Sequence, residues 1–134
     1  MNAPPDEVKA WLTKAKSDLD SARVLIDYRP AVYDTACFHC QQAAEKTLKA
    51  FLVARGAVFD RVHAMSYLID VCAAQNQAFD KLREQAEMLG PFAVEIRYPG
   101  DALVVSREDA EEAYAAARTI WEFVLDQLPP SVQP

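Results

Sequence analysis

The feature of this sequence that most restricts its fold is the spacing of its apolar residues, which recur at intervals of three and four. The clearest stripe lies near the start and consists of Val8, Trp11, Leu12, Ala15, Leu19, Ala22 and Ile26. This spacing places apolar side chains on one face of an α-helix, and that face must be buried against other helices. Five such segments occur, and proline or glycine ends four of them, at Arg29-Pro30, Gly56, Gly90-Pro91 and Pro129-Pro130. The pattern predicts an all-α fold, an antiparallel up-and-down bundle of about five helices.

Local signals predict where these helices begin and end. Pro5 suits a first helical turn, because its missing N–H would have no partner there. The second segment, 31–55, is apolar on more than one side, which is typical of a central helix, and Gly56 predicts its end. The last helix is predicted to open at Ser106, with Asp109 as the acid of a capping box.

Length and composition predict one domain over 1–134, with disordered tails at 1–5 and 129–134. The chain has 134 residues, 51% apolar and 25% charged, which is ordinary for a globular domain. It has no apolar run of about 18 residues, so we expect no membrane span. The start, Met1 to Glu7, lacks the basic and apolar regions of a signal peptide, so we expect a cytoplasmic protein.

The charge distribution limits the ligands that the chain is expected to bind. A net charge of −6 argues against general affinity for nucleic acid. The segment 37–63 nevertheless carries four basic residues (Lys46, Lys49, Arg55 and Arg61) against two acidic ones (Glu45 and Asp60). This cationic segment could serve one phosphate-bearing ligand or form a solvated face.

Three cysteines raise the possibility of a metal or redox site. Cys37 and Cys40 share one helical face, and His63 and Cys72 are conceivable further zinc ligands. Zinc pairs usually sit on a turn, however, and a redox pair at a helix start, whereas this pair is in mid-helix on the apolar stripe. We therefore expect free thiols in the core, and no metal or cofactor.

A polar edge follows the second predicted helix and consists of His39, Gln42, Glu45, Lys46 and Lys49. In one interpretation it is a solvated seam with a Glu45–Lys49 pair worth a few tenths of a kcal/mol. In the other it faces a ligand: the two lysines bind phosphate, and Gln42 or His39 contacts a base or hydroxyl.

The one stretch without helical periodicity, 92–105, contains Arg97-Tyr98-Pro99. Arg97 could bind a phosphate through its planar guanidinium, or could pair with Asp101 or Glu95 and fasten the loop. His63, ahead of the third helix, has a structural interpretation as a cap or packing residue. It is also a candidate acid or base if a ribose hydroxyl is the target.

These segments resemble the HEPN domain (higher eukaryotes and prokaryotes nucleotide-binding). The resemblance rests on Asp18-Leu19, on the run from Tyr33 to Ala50 (YDTACFHCQQAAEKTLKA), on His63 with Leu68, and on Arg97-Tyr98-Pro99. It covers the chain from about Ala10 to Trp121, with four elements in the family's order.

The resemblance implies a five-helix bundle that usually forms a homodimer. Many small prokaryotic proteins of this family are encoded beside a minimal nucleotidyltransferase. The HEPN partner in such pairs is either a nucleotide-binding subunit or an RNase toxin. The toxins cleave RNA with an Arg, four to six intervening residues and a His. This sequence departs from that pattern, because no histidine follows Arg97.

Three hypotheses follow. The first is a non-catalytic HEPN subunit that binds a nucleotide or phosphate-bearing ligand and pairs with a minimal nucleotidyltransferase, as part of a toxin–antitoxin system. In it Lys46, Lys49 and Arg97 hold phosphate, while Gln42, Glu45 and Tyr98 shape the pocket. The second is a metal-independent RNase toxin that uses His63 and Arg97. The third is a structural dimerisation module whose polar edge is an interface.

Overall fold

The computed structural model describes residues 5–62, 64–93, 99 and 104–134, and within these ranges the chain is helical with no β-strand. The longer helices are α1 (Pro5–Asp27), α2 (Tyr33–Ala54), α3 (Met65–Gln75), α4 (Arg83–Leu89) and α5 (Arg107–Asp126). Short 3₁₀ helices cover Gln77–Leu82, Gly90–Phe92 and Pro130–Val132. The predicted all-α bundle is confirmed. In the part of the chain that the structure describes, no helix is both long and apolar enough to cross a membrane.

Helix α2 is central, as its apolar residues on more than one side predict. It packs along α1 and also contacts α3, α4 and α5. Its fully buried side chains include Cys37, Cys40, Leu48, Phe51 and Leu52. The α1 stripe packs toward it, with Leu12, Ala15, Ala22 and Ile26 completely buried. The pairing of α1 with α2 therefore forms the main part of the core and positions the polar side chains described below.

The predicted disordered tail at 129–134 is wrong, because part of that segment is folded. Pro130–Val132 forms a 3₁₀ helix that contacts α1, and Val132 is only 4% exposed. The Gln133 side-chain amide donates hydrogen bonds to the carbonyls of Leu125 and Leu128. Burial of one apolar side chain and satisfaction of two carbonyls at the end of α5 explain why the segment returns to the bundle. The other predicted tail, 1–5, lies almost wholly outside the described residues.

The sequence signals predicted for the end of α2 and for the start of α5 are both present. The Ser106 hydroxyl accepts from the Asp109 backbone N–H, and the Asp109 carboxylate accepts from the Ser106 N–H, which completes the capping box. At the end of α2, the Gly56 N–H donates to the Val53 carbonyl, and the Ala57 N–H donates to the Leu52 carbonyl, each at 3.0 Å. These two bonds form a Schellman motif, which needs a left-handed residue at position 56. Gly56 supplies it with φ 64°.

We expect Gly56→Ala to lower the free energy of unfolding by about 1–2 kcal/mol, because a side chain at this left-handed φ is strained. Gly90→Ala is the control, since Gly90 has φ −49° and a methyl group there meets nothing within 4 Å. Its effect should stay within about 0.5 kcal/mol, because the entropy gain of alanine is offset by the Pro91 that follows. Urea denaturation of both variants measures the difference. Equal losses would contradict the Schellman assignment.

Candidate functional site

Asp18 on α1 joins two of the predicted site residues on α2. Its side chain lies on the buried side of the helix, and the whole residue is 8% exposed. One carboxylate oxygen contacts Nδ1 of His39 at 2.8 Å, and the other accepts a hydrogen bond from Nζ of Lys46 at 2.6 Å. An ionised carboxylate can only accept, so Nδ1 of His39 carries the hydrogen that it shares with Asp18. Asp18 therefore orients the imidazole and binds the ammonium group at the same time.

His39 borders an open groove along the outer side of α1, with a volume of about 610 Å³. The remaining lining residues all come from α1: Thr13, Lys16, Ser17, Asp20, Ser21, Val24 and Leu25. The volume lies within the range of about 300–1,000 Å³ that is usual for small-molecule sites. The groove combines one ammonium group, one carboxylate, three hydroxyl groups and one imidazole with an apolar end.

Lys16 and Asp20, in the middle of the groove, form an exposed pair at 2.9 Å. Their side chains are 50% and 66% exposed, so the pair contributes little to stability and exchanges readily with solvent or ligand. The Thr13 hydroxyl donates to the Lys9 carbonyl, whereas no hydrogen bond engages the Ser17 or Ser21 hydroxyl among the described residues. These two serines can donate to a ligand.

The remaining predicted α2 residues form a second, buried network. Gln42 donates to the Gln41 side-chain carbonyl at 2.8 Å, and Gln41 donates to Glu45 at 3.3 Å. Lys49 donates to the other Glu45 oxygen at 3.1 Å, and its ammonium group lies 5.8 Å from the centre of the Trp11 ring. The predicted Glu45–Lys49 pair is present. Its interpretation as a solvated seam is wrong, because the two side chains are only 5% and 8% exposed.

The structure thus brings the predicted α2 residues into two groups. Asp18 links His39 with Lys46, and Gln41 links Gln42 with Glu45 and Lys49. Both lysine ammonium groups contact carboxylates, which favours a structural role, and phosphate binding by them stays a prediction. The predicted Arg97, Tyr98 and His63 lie outside the described residues.

Sequence reasoning did not assign a role to Asp18, although the sequence contains a signal for it. Asp18 is three residues after Ala15 and four before Ala22, so an acid occupies the apolar face of α1. A carboxylate in such a position needs a cation or hydrogen-bond donors from another helix. Lys16, Ser17 and Ser21 were also missed, because they look like ordinary solvated residues of an amphipathic helix.

The three cysteines lie in the core, as predicted. Cys37, Cys40 and Cys72 are free thiols and fully buried. Burial raises the pKa of each thiol to about 12, chiefly because the thiolate would lose its hydration. Among the described residues, no three His, Cys, Asp or Glu side chains are grouped so that they could hold a metal ion.

We expect the three thiols of the native protein to react negligibly with a thiol reagent such as DTNB at pH 8. A raised pKa keeps each group protonated far above neutral pH, and the reactive thiolate forms only as the pH approaches 12. The same protein in guanidinium chloride should release three equivalents of the chromophore rapidly. Fast reaction of one or more native cysteines would contradict their burial in solution.

A surface cluster of charges fastens α1 to α5. Arg23 donates to both carboxylate oxygens of Glu111, at 2.7 and 3.2 Å, and also contacts Asp27. The hydrogen bond from Arg23 lowers the pKa of Glu111. Arg107 contacts Asp27 at 3.1 Å. The carboxylate of Glu111, in the first turns of α5, therefore accepts its hydrogen bonds from a side chain of α1.

Comparison with known proteins agrees with this architecture. The model of the HEPN domain matches residues 8–127. A protein of Methanocaldococcus jannaschii named "Putative toxin MJ1304" is 28% identical, over 90% of this chain and 87% of its own length. The crystal structure of TT1696 from Thermus thermophilus is similar with a TM-score of 0.70 and 32% identity, over 90% of this chain and 98% of that one.

Two further structures carry the family's name. The crystal structure of ST0689, an archaeal HEPN homologue, has a TM-score of 0.72 and 25% identity, over 95% of this chain and 98% of that one. A HEPN domain protein from Thermotoga maritima has a TM-score of 0.55 and 26% identity, over 92% of this chain and 94% of that one. The match over 8–127 spans the same elements that carry the sequence resemblance. This chain belongs to the HEPN domain family.

Proposed function

We propose that this chain is a non-catalytic HEPN subunit that binds a nucleotide or another phosphate-bearing ligand in the groove along α1. It acts in the cytoplasm as a homodimer, together with a minimal nucleotidyltransferase, as part of a toxin–antitoxin system. The observation that carries the proposal is the His39 imidazole, which Asp18 orients at 2.8 Å beside a groove of about 610 Å³. Beside this imidazole, the ammonium group of Lys16 and the hydroxyls of Ser17 and Ser21 provide donors for a polar anion.

The phosphate is proposed to bind at Lys16, with Ser17 and Ser21 donating further hydrogen bonds. Lys16 is half exposed, and its pair with Asp20 is a surface pair that a doubly charged phosphate can replace. Lys46 and Lys49 compensate the buried carboxylates of Asp18 and Glu45, and phosphate binding by these two lysines stays a prediction. Arg97 and Tyr98 remain candidate ligand residues on sequence grounds.

The absence of RNA cleavage is proposed because the usual Arg–His motif is incomplete. No histidine follows Arg97 at any spacing, and both histidines of the chain, His39 and His63, precede it. Loss of a positioned acid or base typically lowers a rate by about 10²- to 10⁴-fold.

The toxin–antitoxin setting is supported by the Methanocaldococcus relative, whose name contains the word toxin. The nucleotidyltransferase partner is an expectation from the family resemblance. Co-expression of this chain with the nucleotidyltransferase encoded nearest to it tests the pairing. Joint elution at the mass of a complex supports it, and separate elution of the two proteins contradicts it.

We expect Lys16→Ala to weaken the binding of AMP by roughly 10- to 100-fold, the value of a charge-assisted contact. Lys14→Ala is the matched control, because Lys14 is exposed on the same helix but does not line the groove. Isothermal titration of the purified protein, alone and with its nucleotidyltransferase, measures both variants. No saturable binding of AMP or of other nucleotides by the wild type would overturn the proposal, as would equal losses in the two variants.

A second candidate function, an RNase toxin that uses His63 and Arg97, is also favoured by the name of the Methanocaldococcus relative. Its test is expression in a bacterium without the partner, with growth and total RNA integrity followed. Growth arrest and RNA cleavage that both His63→Ala and Arg97→Ala abolish would establish the toxin. Normal growth with intact RNA would exclude it and favour the binding subunit.

A further inference from the structure

We infer that His39 selects the ligand of the α1 groove by accepting a hydrogen bond from a ligand hydroxyl, so that the groove takes a hydroxylated phosphate ester, such as the ribose phosphate of a nucleotide. The inference rests on the proposed function and deepens it, because it names a hydroxyl as the second ligand group that the groove recognises besides phosphate. It assigns His39 a specificity role and Asp18 a positioning role.

The tautomer of His39 follows from its contact with Asp18. The Asp18 oxygen lies 2.8 Å from Nδ1, and a carboxylate cannot donate a hydrogen bond. The ring hydrogen of a neutral His39 is therefore on Nδ1, and Nε2 carries a lone pair. Because His39 borders the groove and its side chain is 30% exposed, Nε2 is the ring nitrogen that remains for a ligand.

Lys46 keeps this arrangement in place. Its ammonium group donates to the second Asp18 oxygen at 2.6 Å, and the Asp18 side chain is 12% exposed. Nζ of Lys46 can only donate, so the Asp18 carboxylate accepts from Lys46 with one oxygen and from Nδ1 of His39 with the other. The negative charge of Asp18 is compensated by Lys46, and the imidazole is not needed as a second cation for it.

An acceptor at Nε2 discriminates between the parts of a phosphate ester. Phosphate oxygens are acceptors and gain nothing from a lone pair, whereas a sugar hydroxyl can donate to it. The groove provides the matching partner for phosphate at a different residue, since Lys16 lines it together with the Ser17 and Ser21 hydroxyls. A ligand that fills both positions carries a phosphate and a free hydroxyl on one small framework.

The test compares AMP with 2′,3′-dideoxyadenosine monophosphate, which keeps the phosphate and base but lacks both ribose hydroxyls. Wild-type protein should bind AMP about tenfold more tightly, since one lost hydrogen bond that leaves a site acceptor unpaired has about this effect. His39→Leu should bind both compounds with equal affinity. His39→Gln, whose amide oxygen can accept from the same hydroxyl, should keep part of the preference.

Three results would overturn the inference. These are equal affinity of the wild type for the two compounds, a preference that persists in His39→Leu, and ¹⁵N NMR spectra in which the neutral His39 ring is protonated at Nε2. The NMR measurement needs no substitution, so it decides even if a variant fails to fold. Equal binding of both compounds rejects the hydroxyl contact and leaves the proposed function intact, whereas absence of binding to either compound rejects both.

Discussion

Replacement of Lys49 by alanine is expected to lower the free energy of unfolding by about 3–5 kcal/mol, the usual cost of removing one member of a buried ion pair. Lys49 and Glu45 are 8% and 5% exposed, and Glu45 also accepts from Gln41. The variant leaves the Glu45 carboxylate in a site with little access to water. It also removes the ammonium group that lies 5.8 Å from the Trp11 ring.

The chain offers a matched control, because Lys16–Asp20 is also an ion pair between residues four apart on a helix. Its side chains are 50% and 66% exposed, so Lys16→Ala should change stability by no more than about 0.5 kcal/mol. Urea denaturation followed by circular dichroism measures both. A loss below about 1 kcal/mol for Lys49→Ala would show that this pair is solvated in the protein. That result would support the alternative interpretation of the pair as part of a solvated seam.

Phe79→Ala is expected to lower the free energy of unfolding by about 3–5 kcal/mol, the range for deleting a buried aromatic side chain. Phe79 is fully buried, and its ring centre lies 4.3 Å from that of Phe51 and 4.9 Å from that of Phe123. One substitution therefore removes two aromatic contacts that join α2, the 3₁₀ helix Gln77–Leu82 and α5.

Val58→Ala is the corresponding control, since Val58 is 96% exposed and should tolerate the change within about 0.5 kcal/mol. Phe79→Leu should lose less than Phe79→Ala, because leucine fills part of the space. If Phe79→Ala were as mild as Val58→Ala, the three rings could not form a packed centre in solution.

The sequence predicted the fold well because helix-forming information is local. The apolar stripes of α1 and α5 identify their buried faces, and Gly56 and Ser106 end and begin helices through backbone chemistry that single residues determine. The fourth helix was predicted less accurately. Its apolar stripe, Phe79, Leu82, Ala86 and Leu89, predicts one α-helix, whereas the structure divides this segment into the 3₁₀ helix Gln77–Leu82 and α4. The Asn76 side chain accepts from the Ala78 N–H and starts a tight 3₁₀ turn, which the apolar stripe cannot distinguish from an α-helix.

The candidate site was predicted less completely, because its contacts join residues that are distant in sequence. The polar edge of α2 was recognised from spacing alone, but its partial burial depends on α1 and could not be read from α2. Asp18 meets residues 21 and 28 positions later in the chain, His39 and Lys46. Helical periodicity gives the face that each helix buries, and it does not give the partner that a polar group finds on another helix.

The measurement that tests the central claim most directly is a titration of ¹⁵N-labelled protein with AMP, followed by two-dimensional NMR. The groove site predicts saturable shifts that concentrate at Lys16, Ser17, Ser21 and the His39 ring, with little change at Lys14 and along α5. Absence of saturable shifts, or shifts centred on a surface away from α1 and His39, would contradict ligand binding in this groove.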